Sequence, residues 1–165
     1  MNKPIYHSNY TGKWSEMTVL QQFENLHSKN HSHFELNAEP VHNKHFIHIP
    51  SIMPQVATGL LVNNYACIEL SIEFIKDNIM ESGSGYLRAL MARRLKSCPL
   101  EERQASNLRR IFFTQLKNGK MHQEYKEYIK LFKKIELGEY HHEIYLLTKS
   151  TISYIARAAN KLLVL

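Results

Sequence analysis

Histidine is the side chain most often used as a metal ligand and as an acid–base catalyst near neutral pH, and six of the chain's ten histidines are clustered. They fall within 22 positions and comprise His27, His31, His33, His42, His45 and His48. On a strand His42 and His48 share a face while His45 points away, and on a helix only close neighbours converge. Because neither geometry gathers three ligands and no CxxC or HExxH motif is present, we predict surface or hairpin histidines and no metal site.

Paired carboxylates offer a second kind of chemistry. Glu69 and Glu73 stand one helical turn apart, and Lys76 follows one turn further on. Buried together, the carboxylates could do acid–base work, but such a strip more often lines a solvent channel or pairs with arginines of a neighbouring helix. The single ExxH sequence at 139–142 does not suffice for a di-iron site, which needs two such motifs and two further carboxylates.

Nucleophilic catalysis and phosphate-binding loops lack a recognisable motif. There is no GxSxG sequence, and Cys67 lies on an apolar helical face, where a free cysteine is usually inert. The GSG sequence at 83–85 is too short for a phosphate loop and is typical of a turn between helices. We therefore predict no catalytic residue and no cofactor, and the sequence favours a protein that is not an enzyme.

Positive charge is concentrated in the second half of the chain. Residues 1–80 have five Lys/Arg and seven Asp/Glu, whereas residues 81–165 have sixteen and eight. Between positions 88 and 134 the balance is thirteen basic to four acidic residues. Such asymmetry indicates a polyanionic partner, either nucleic acid or an acidic protein surface, or else a solvated basic face.

Two predicted helices display this charge as stripes opposite their apolar sides. The candidate binding residues are Arg103, Arg110 and Lys117 on the first helix, and Lys126, Lys130, Lys133 and Lys134 on the second. If the helices pack antiparallel through the turn at Gly119, the two stripes form one surface. Phosphate contacts from such a surface give salt-dependent binding of low sequence specificity.

The element expected to organise the fold is a helix at 56–80. One heptad seam comprises Leu61, Tyr65, Ile68, Ile72, Ile75 and Ile79, and a second apolar face comprises Ala66, Cys67, Leu70 and Phe74. A helix with two apolar faces must be covered from two sides, which predicts a central position. Asn64, Ser71 and Asn78 recur at intervals of seven, which is typical of register-setting positions in a homodimer.

Local patterns predict the remaining elements. A short helix starts at Ser15, a small β-hairpin or an irregular arm occupies 31–55, and further helices lie at 86–96, 100–118, 120–135 and 140–163. The last helix is expected to turn Ile144, Leu147, Tyr154, Ala158 and Leu162 inward.

The expected fold is mainly α, an irregular bundle of five or six helices around the central helix (56–80). We predict a single domain, 1–165, with a His-rich arm at 1–55 and the bundle at 56–165. No export signal or membrane span is visible, and two cysteines do not make a disulfide framework. These features favour a cytoplasmic protein.

The sequence LLVNNYACIELSIEFI resembles the apolar helix with an embedded glutamate of HEPN-type domains, which are helical bundles and often RNases. The resemblance implies a helical bundle. Such RNases carry an arginine followed by histidine after four to six residues, and no arginine here precedes a histidine at that spacing. That absence argues against the activity.

Three functions follow from these patterns. The leading hypothesis is a small non-enzymatic protein whose basic helical face binds nucleic acid or a protein that handles nucleic acid. The second is a protein–protein adaptor or inhibitor, including a homodimer that forms through the heptad seam. The third is an RNase or a metal-dependent hydrolase built on the N-terminal histidines.

Overall fold

The computed structural model of the chain describes residues 2–7, 10–27, 33–37 and 39–164. Within these residues there are eight α-helices: α1 (Glu16–His27), α2 (Met53–Gly59), α3 (Tyr65–Asp77), α4 (Ser84–Leu95), α5 (Glu102–Lys117), α6 (Tyr125–Lys134), α7 (His141–Leu147) and α8 (Ser153–Leu163). The predicted fold class, mainly α with a short N-terminal β element, is confirmed. Contacts group the chain into two compact units, Met1–Glu73 and Phe74–Leu165, so the boundary lies within α3.

The first unit contains the small sheet and α1. Strands β2 (Val41–His42) and β3 (Ile47–Ile49) are antiparallel and form a short hairpin within the predicted 31–55 segment. A third strand, β1 (Ile5–His7), pairs in parallel with β3, giving the order β1-β3-β2. Helix α1 begins directly after Ser15, as predicted, and buries Val19 and Phe23 at helical spacing.

The predicted continuous helix at 56–80 is wrong. Helix α2 ends at Gly59, a 3₁₀ turn covers Leu60–Val62, and α3 begins only at Tyr65. Asn63 adopts the left-handed conformation at φ 56°, and the side-chain carbonyl of Asn64 accepts the Cys67 amide N–H at 3.0 Å. Asparagine is favoured both in the left-handed region and as an N-cap, so this pair interrupts the helix although the apolar spacing continues.

The asparagines that suggested a homodimer register therefore have another role. Asn64 caps the start of α3, Asn78 follows its end in the left-handed conformation at φ 49°, and both Asn64 and Ser71 are buried within the chain. Leu61, the first residue of the predicted seam, is 64% exposed in the 3₁₀ turn. Helix capping and burial therefore explain why Asn64, Ser71 and Asn78 recur at intervals of seven. The homodimer stays a prediction, and this recurrence no longer supports it.

The close turn between α2 and α3 depends on Gly59. A Cβ atom at this position would clash with the Cys67 sulfur and lie 2.9 Å from both Cys67 Cβ and a ring carbon of Phe34. We expect Gly59→Ala to lower the free energy of unfolding by about 1–3 kcal/mol through overpacking. Urea unfolding would measure the loss of stability. The double variant Gly59→Ala, Cys67→Ala should recover part of that stability, because the sulfur atom that the new Cβ meets is removed. An unchanged midpoint in Gly59→Ala would contradict the tight packing.

The second unit is built on the aromatic contact between α5 and α6. The Phe112 ring stacks on Tyr128 with centroids 4.9 Å apart and lies 5.8 Å from Phe132. The buried Tyr125 hydroxyl donates a hydrogen bond to the Phe112 carbonyl at 2.8 Å. Helix α6 also packs against α4 and α8, so three helices surround its apolar side.

The predicted helix at 140–163 is wrong, because the structure divides it into α7 and α8. The Thr148 hydroxyl donates to the Tyr145 carbonyl at 2.7 Å, and the Ser150 hydroxyl accepts the Ile152 amide N–H at 3.1 Å. Serine and threonine hydroxyls compete with the helical backbone hydrogen bonds in this way. Together with the interruption between α2 and α3, this break accounts for the eight α-helices of the described residues where five or six were expected.

Candidate functional site

Helix α6 presents a stripe of lysines to solvent. Tyr125, Tyr128, Leu131 and Phe132 are buried, and the predicted binding residues Lys126, Lys130, Lys133 and Lys134 are all exposed. The helical period of 3.6 residues separates these sets, since each lysine lies on the side opposite the aromatic contacts. The exposure of this stripe agrees with the sequence prediction.

The stripe on α5 faces a different direction. Arg103, Arg110 and Lys117 are exposed, and their positions relative to Phe112 place them on the opposite side of α5. Because Phe112 is the residue that contacts α6, this stripe points away from α6. The structure brings together the members of each stripe but does not bring the two stripes together.

Helix α8 supplies two cations, Arg157 and Lys161, that line a groove together with Lys126 of α6. A groove of about 280 Å³ runs between the start of α6 and one side of α8, and both helices belong to the second unit. Its lining comprises Met121, His122, Gln123, Tyr125, Lys126, Ile129, Tyr154, Arg157, Ala158 and Lys161. We call this the basic groove. Among the residues that the structure describes, three cations and one histidine line it, and no carboxylate does.

The three cations of the basic groove have no acidic neighbour in ion-pair contact among the residues that the structure describes. By contrast, Lys130 pairs with Glu127 at 3.0 Å, and the Lys133 ammonium donates to the Val164 carbonyl. Positive side chains close together without a counter-charge attract anions from solution. The groove is therefore suited to bind phosphate or carboxylate groups.

Tyr154 forms an aromatic wall of the groove, and Gly119 positions it. Gly119 has a φ of 66°, and a Cβ atom there would lie 2.7 Å from the Tyr154 hydroxyl oxygen. Glycine thus permits both the left-handed turn and the approach of the ring. The prediction that Tyr154 faces inward is wrong, since the residue is 47% exposed. Ala158 and Leu162 are buried as predicted, together with Ile155 and Ala159, and Tyr154 in the first turn of α8 lies outside this buried side.

A second cavity of about 460 Å³ adjoins the groove through His122, Gln123 and Lys126, which line both. At its base the guanidinium of Arg88 donates to one Glu124 carboxylate oxygen, from Nε at 2.9 Å and from Nη2 at 2.6 Å. Arg88 is 2% exposed and Glu124 6% exposed, and Arg88 also donates to the Ile79 carbonyl. These charges neutralise each other, which favours a structural role.

Glu127 also lines this second cavity and is held by cations. Lys130 donates to Glu127 Oε1 at 3.0 Å, and Arg93 Nε lies 3.8 Å from Glu127 Oε2. The hydrogen bond from Lys130, helped by the charges of Lys130, Arg93 and Lys96, lowers the pKa of Glu127 although burial opposes the shift. The ionised carboxylate is the stable form in the folded chain.

The lowered pKa of Glu127 has a consequence for stability. A carboxyl group with a folded pKa below its unfolded value stabilises the fold above the unfolded pKa and loses that contribution as pH falls through the folded pKa. We expect Glu127→Gln to lower the free energy of unfolding at pH 7. The difference in stability between the variant and the wild type should shrink as the pH falls below about 4. Urea midpoints across pH would measure this, with exposed Glu143→Gln as the control. A difference that grows on acidification would contradict the assignment.

Other candidate catalytic groups do not converge. Glu73 pairs at 3.2 Å with Lys13 of the 3₁₀ turn Gly12–Trp14, whereas arginines of a neighbouring helix were expected. Cys67 is buried, and burial raises the pKa of the Cys98 thiol to about 11, so neither is suited to act as a thiolate at neutral pH.

The histidine cluster is spread over the first unit. His42 lies in β2, His48 lies in β3, and His45 lies in the turn between them, while His31 is outside the described residues. Within residues 2–7, 10–27, 33–37 and 39–164, no group of three or more His, Cys, Asp or Glu side chains is placed to hold a metal ion.

Comparison with protein-family models, with curated proteins and with solved structures found no significant match. None of the helices in the described part of the chain has the length and apolar character needed to cross a membrane.

Sequence reasoning missed Arg157, Lys161 and Tyr154 as site residues. A signal was present, because positions 154, 157 and 161 share one face of a helix that starts at residue 153. No local sequence signal indicates that this face lies beside Lys126, which is 28 to 35 positions earlier in the chain.

Proposed function

We propose that the protein binds nucleic acid through the basic groove and the neighbouring lysine stripe of α6. The observation that carries the proposal is the groove itself, where Lys126, Arg157 and Lys161 converge without a carboxylate in the lining. Cations placed in this way neutralise backbone phosphates and release condensed counterions, which supplies most of the affinity in weakly specific nucleic-acid binding.

The lysine stripe extends the groove. From Lys126 to Lys134 the axis of α6 rises by about 12 Å at 1.5 Å per residue. Several successive phosphates can therefore contact one helix side. Lysine predominates there, and its ammonium makes point contacts in contrast to the bidentate readout of arginine, so we expect little sequence preference.

An aromatic side chain in the lining favours nucleic acid over an acidic protein surface. Tyr154 offers a planar ring beside the cations, and nucleic-acid grooves combine backbone-tracking charge with aromatic surfaces. The two free cysteines agree with a reducing compartment. We accordingly assign the protein to the cytoplasm as part of this proposal.

Fluorescence anisotropy with labelled oligonucleotides tests the proposal. Binding should be measurable at about 50 mM salt and should weaken steeply towards about 200 mM, with log K linear in log salt concentration. Heparin and poly-glutamate serve as polyanions without bases. Absence of nucleic-acid binding at low salt would refute the proposal, and binding of poly-glutamate alone would favour the acidic protein partner instead.

A further inference from the structure

We infer that the basic groove takes single-stranded nucleic acid, with one base stacked on the ring of Tyr154. This inference rests on the proposed function and names the form of nucleic acid that the groove accepts. It follows from where Tyr154 lies, how it is held and which residues flank it.

The ring and the cations occupy one face of α8. Tyr154, Arg157 and Lys161 are separated by three and four residues, the spacing at which side chains of a helix are neighbours. All three line the groove, and Lys126 lines it from α6. A strand whose phosphates contact Arg157, Lys161 and Lys126 therefore passes beside the ring.

The ring is positioned before any ligand arrives. Its hydroxyl end lies against Gly119, where no side chain intervenes, while 47% of the residue is exposed. A side chain held in place loses less conformational entropy when a base stacks on it. Nearly half of a large aromatic residue is thus presented to solvent in a cationic groove, where an unstacked base has both an aromatic surface and phosphate partners.

Duplex nucleic acid cannot use this arrangement. Its bases are already stacked and paired, so a tyrosine at the groove wall gains nothing unless a base is extruded at additional cost. A single strand exposes its bases, and every base has an aromatic face, which makes stacking tolerant of sequence. The geometry therefore points to a preference for single-stranded over duplex nucleic acid, without a strong preference for the identity of the stacked base.

Paired titrations of single-stranded and duplex oligonucleotides test the inference. We expect Tyr154→Ala to weaken single-strand binding by about tenfold and to change duplex binding by less than about twofold. Tyr154→Phe should retain the wild-type affinity because the ring is kept, and Tyr154→Leu should behave like Tyr154→Ala because stacking needs an aromatic face.

Tyr145→Ala is the matched control. Tyr145 is 48% exposed on α7 beside the Lys149 ammonium, but it does not line the basic groove. We expect no change in single-strand affinity for this variant.

Tyr154→Trp keeps a large aromatic side chain in the groove. This variant should bind the single strand at least as tightly as the wild type, and bases should quench the fluorescence of the added tryptophan.

Outcomes that overturn the inference differ from those that overturn the proposed function. Equal losses in Tyr154→Ala and Tyr145→Ala, or equal losses on single strand and duplex, would overturn stacking while leaving the groove as a phosphate site. Stacking would also be overturned if saturating oligonucleotide left the fluorescence of the Tyr154→Trp variant unquenched. Failure of the unmodified protein to bind any nucleic acid would overturn both.

Discussion

Replacing Arg88 with methionine is expected to lower the free energy of unfolding by about 3–5 kcal/mol. The substitution leaves the carboxylate of Glu124 buried without its cation and removes a donor to the Ile79 carbonyl. An uncompensated buried charge is among the costliest single changes in a folded protein. Urea unfolding followed by circular dichroism measures the loss.

A double variant separates the buried charge from the packing around it. Arg88→Met combined with Glu124→Leu removes both charges, and we expect it to recover most of the stability, since apolar replacement of a whole buried pair is often close to neutral. Arg103→Met is the matched control, because Arg103 lies 3.9 Å from Glu101 in an exposed pair and should contribute less than about 1 kcal/mol. Equal losses in Arg88→Met and Arg103→Met would contradict the structural role of the buried pair.

Neutralising the basic groove is expected to have the largest effect on binding. In the triple variant Lys126→Gln, Arg157→Gln, Lys161→Gln, three phosphate contacts are lost. On a single strand each phosphate contact contributes about 0.7 to the slope of log K against log salt concentration, so the magnitude of that slope should fall by about two. Affinity at about 0.1 M salt should fall by roughly one to two orders of magnitude.

The α5 stripe provides a control with the same change in net charge. Arg103→Gln, Arg110→Gln, Lys117→Gln also removes three positive charges, but from the side of α5 that points away from α6. If attraction were due to net charge alone, both triple variants would lose affinity equally. We expect the α5 variant to stay within about threefold of the wild type and to keep its salt slope. Equal losses would refute a localised site.

Periodicity identified what lies on each side of a regular helix. Helix α6 buries one side and exposes the other as expected, because a helix with strongly periodic apolar residues has only one favourable orientation against the protein core. The same reasoning failed at 56–80, because two adjacent asparagines stop a helix by local hydrogen bonding that apolar spacing does not register.

The site itself required tertiary structure. Lys126 was predicted as a binding residue, but its partners Arg157 and Lys161 lie on a helix whose start was misplaced. With the helix drawn continuously from residue 140, Tyr154 was placed on the inward side with Ala158 and Leu162, whereas the hydroxyl-rich break at 148–152 puts Tyr154 in the first turn of α8, where it is exposed. Likewise, the pairing of Arg88 with Glu124 spans 36 positions and follows from the packing of α4 on α6.

The most direct test of nucleic-acid binding by the groove is a titration of the ¹⁵N-labelled protein with a short single-stranded oligonucleotide, followed by amide and arginine side-chain shifts. We predict the largest perturbations at 121–129 and at 154–161, including the Arg157 guanidinium, with little change at Arg103, Arg110 and Lys117. Perturbations confined to the exposed side of α5, with none at Arg157 or Lys161, would contradict the assignment of the basic groove as the binding site.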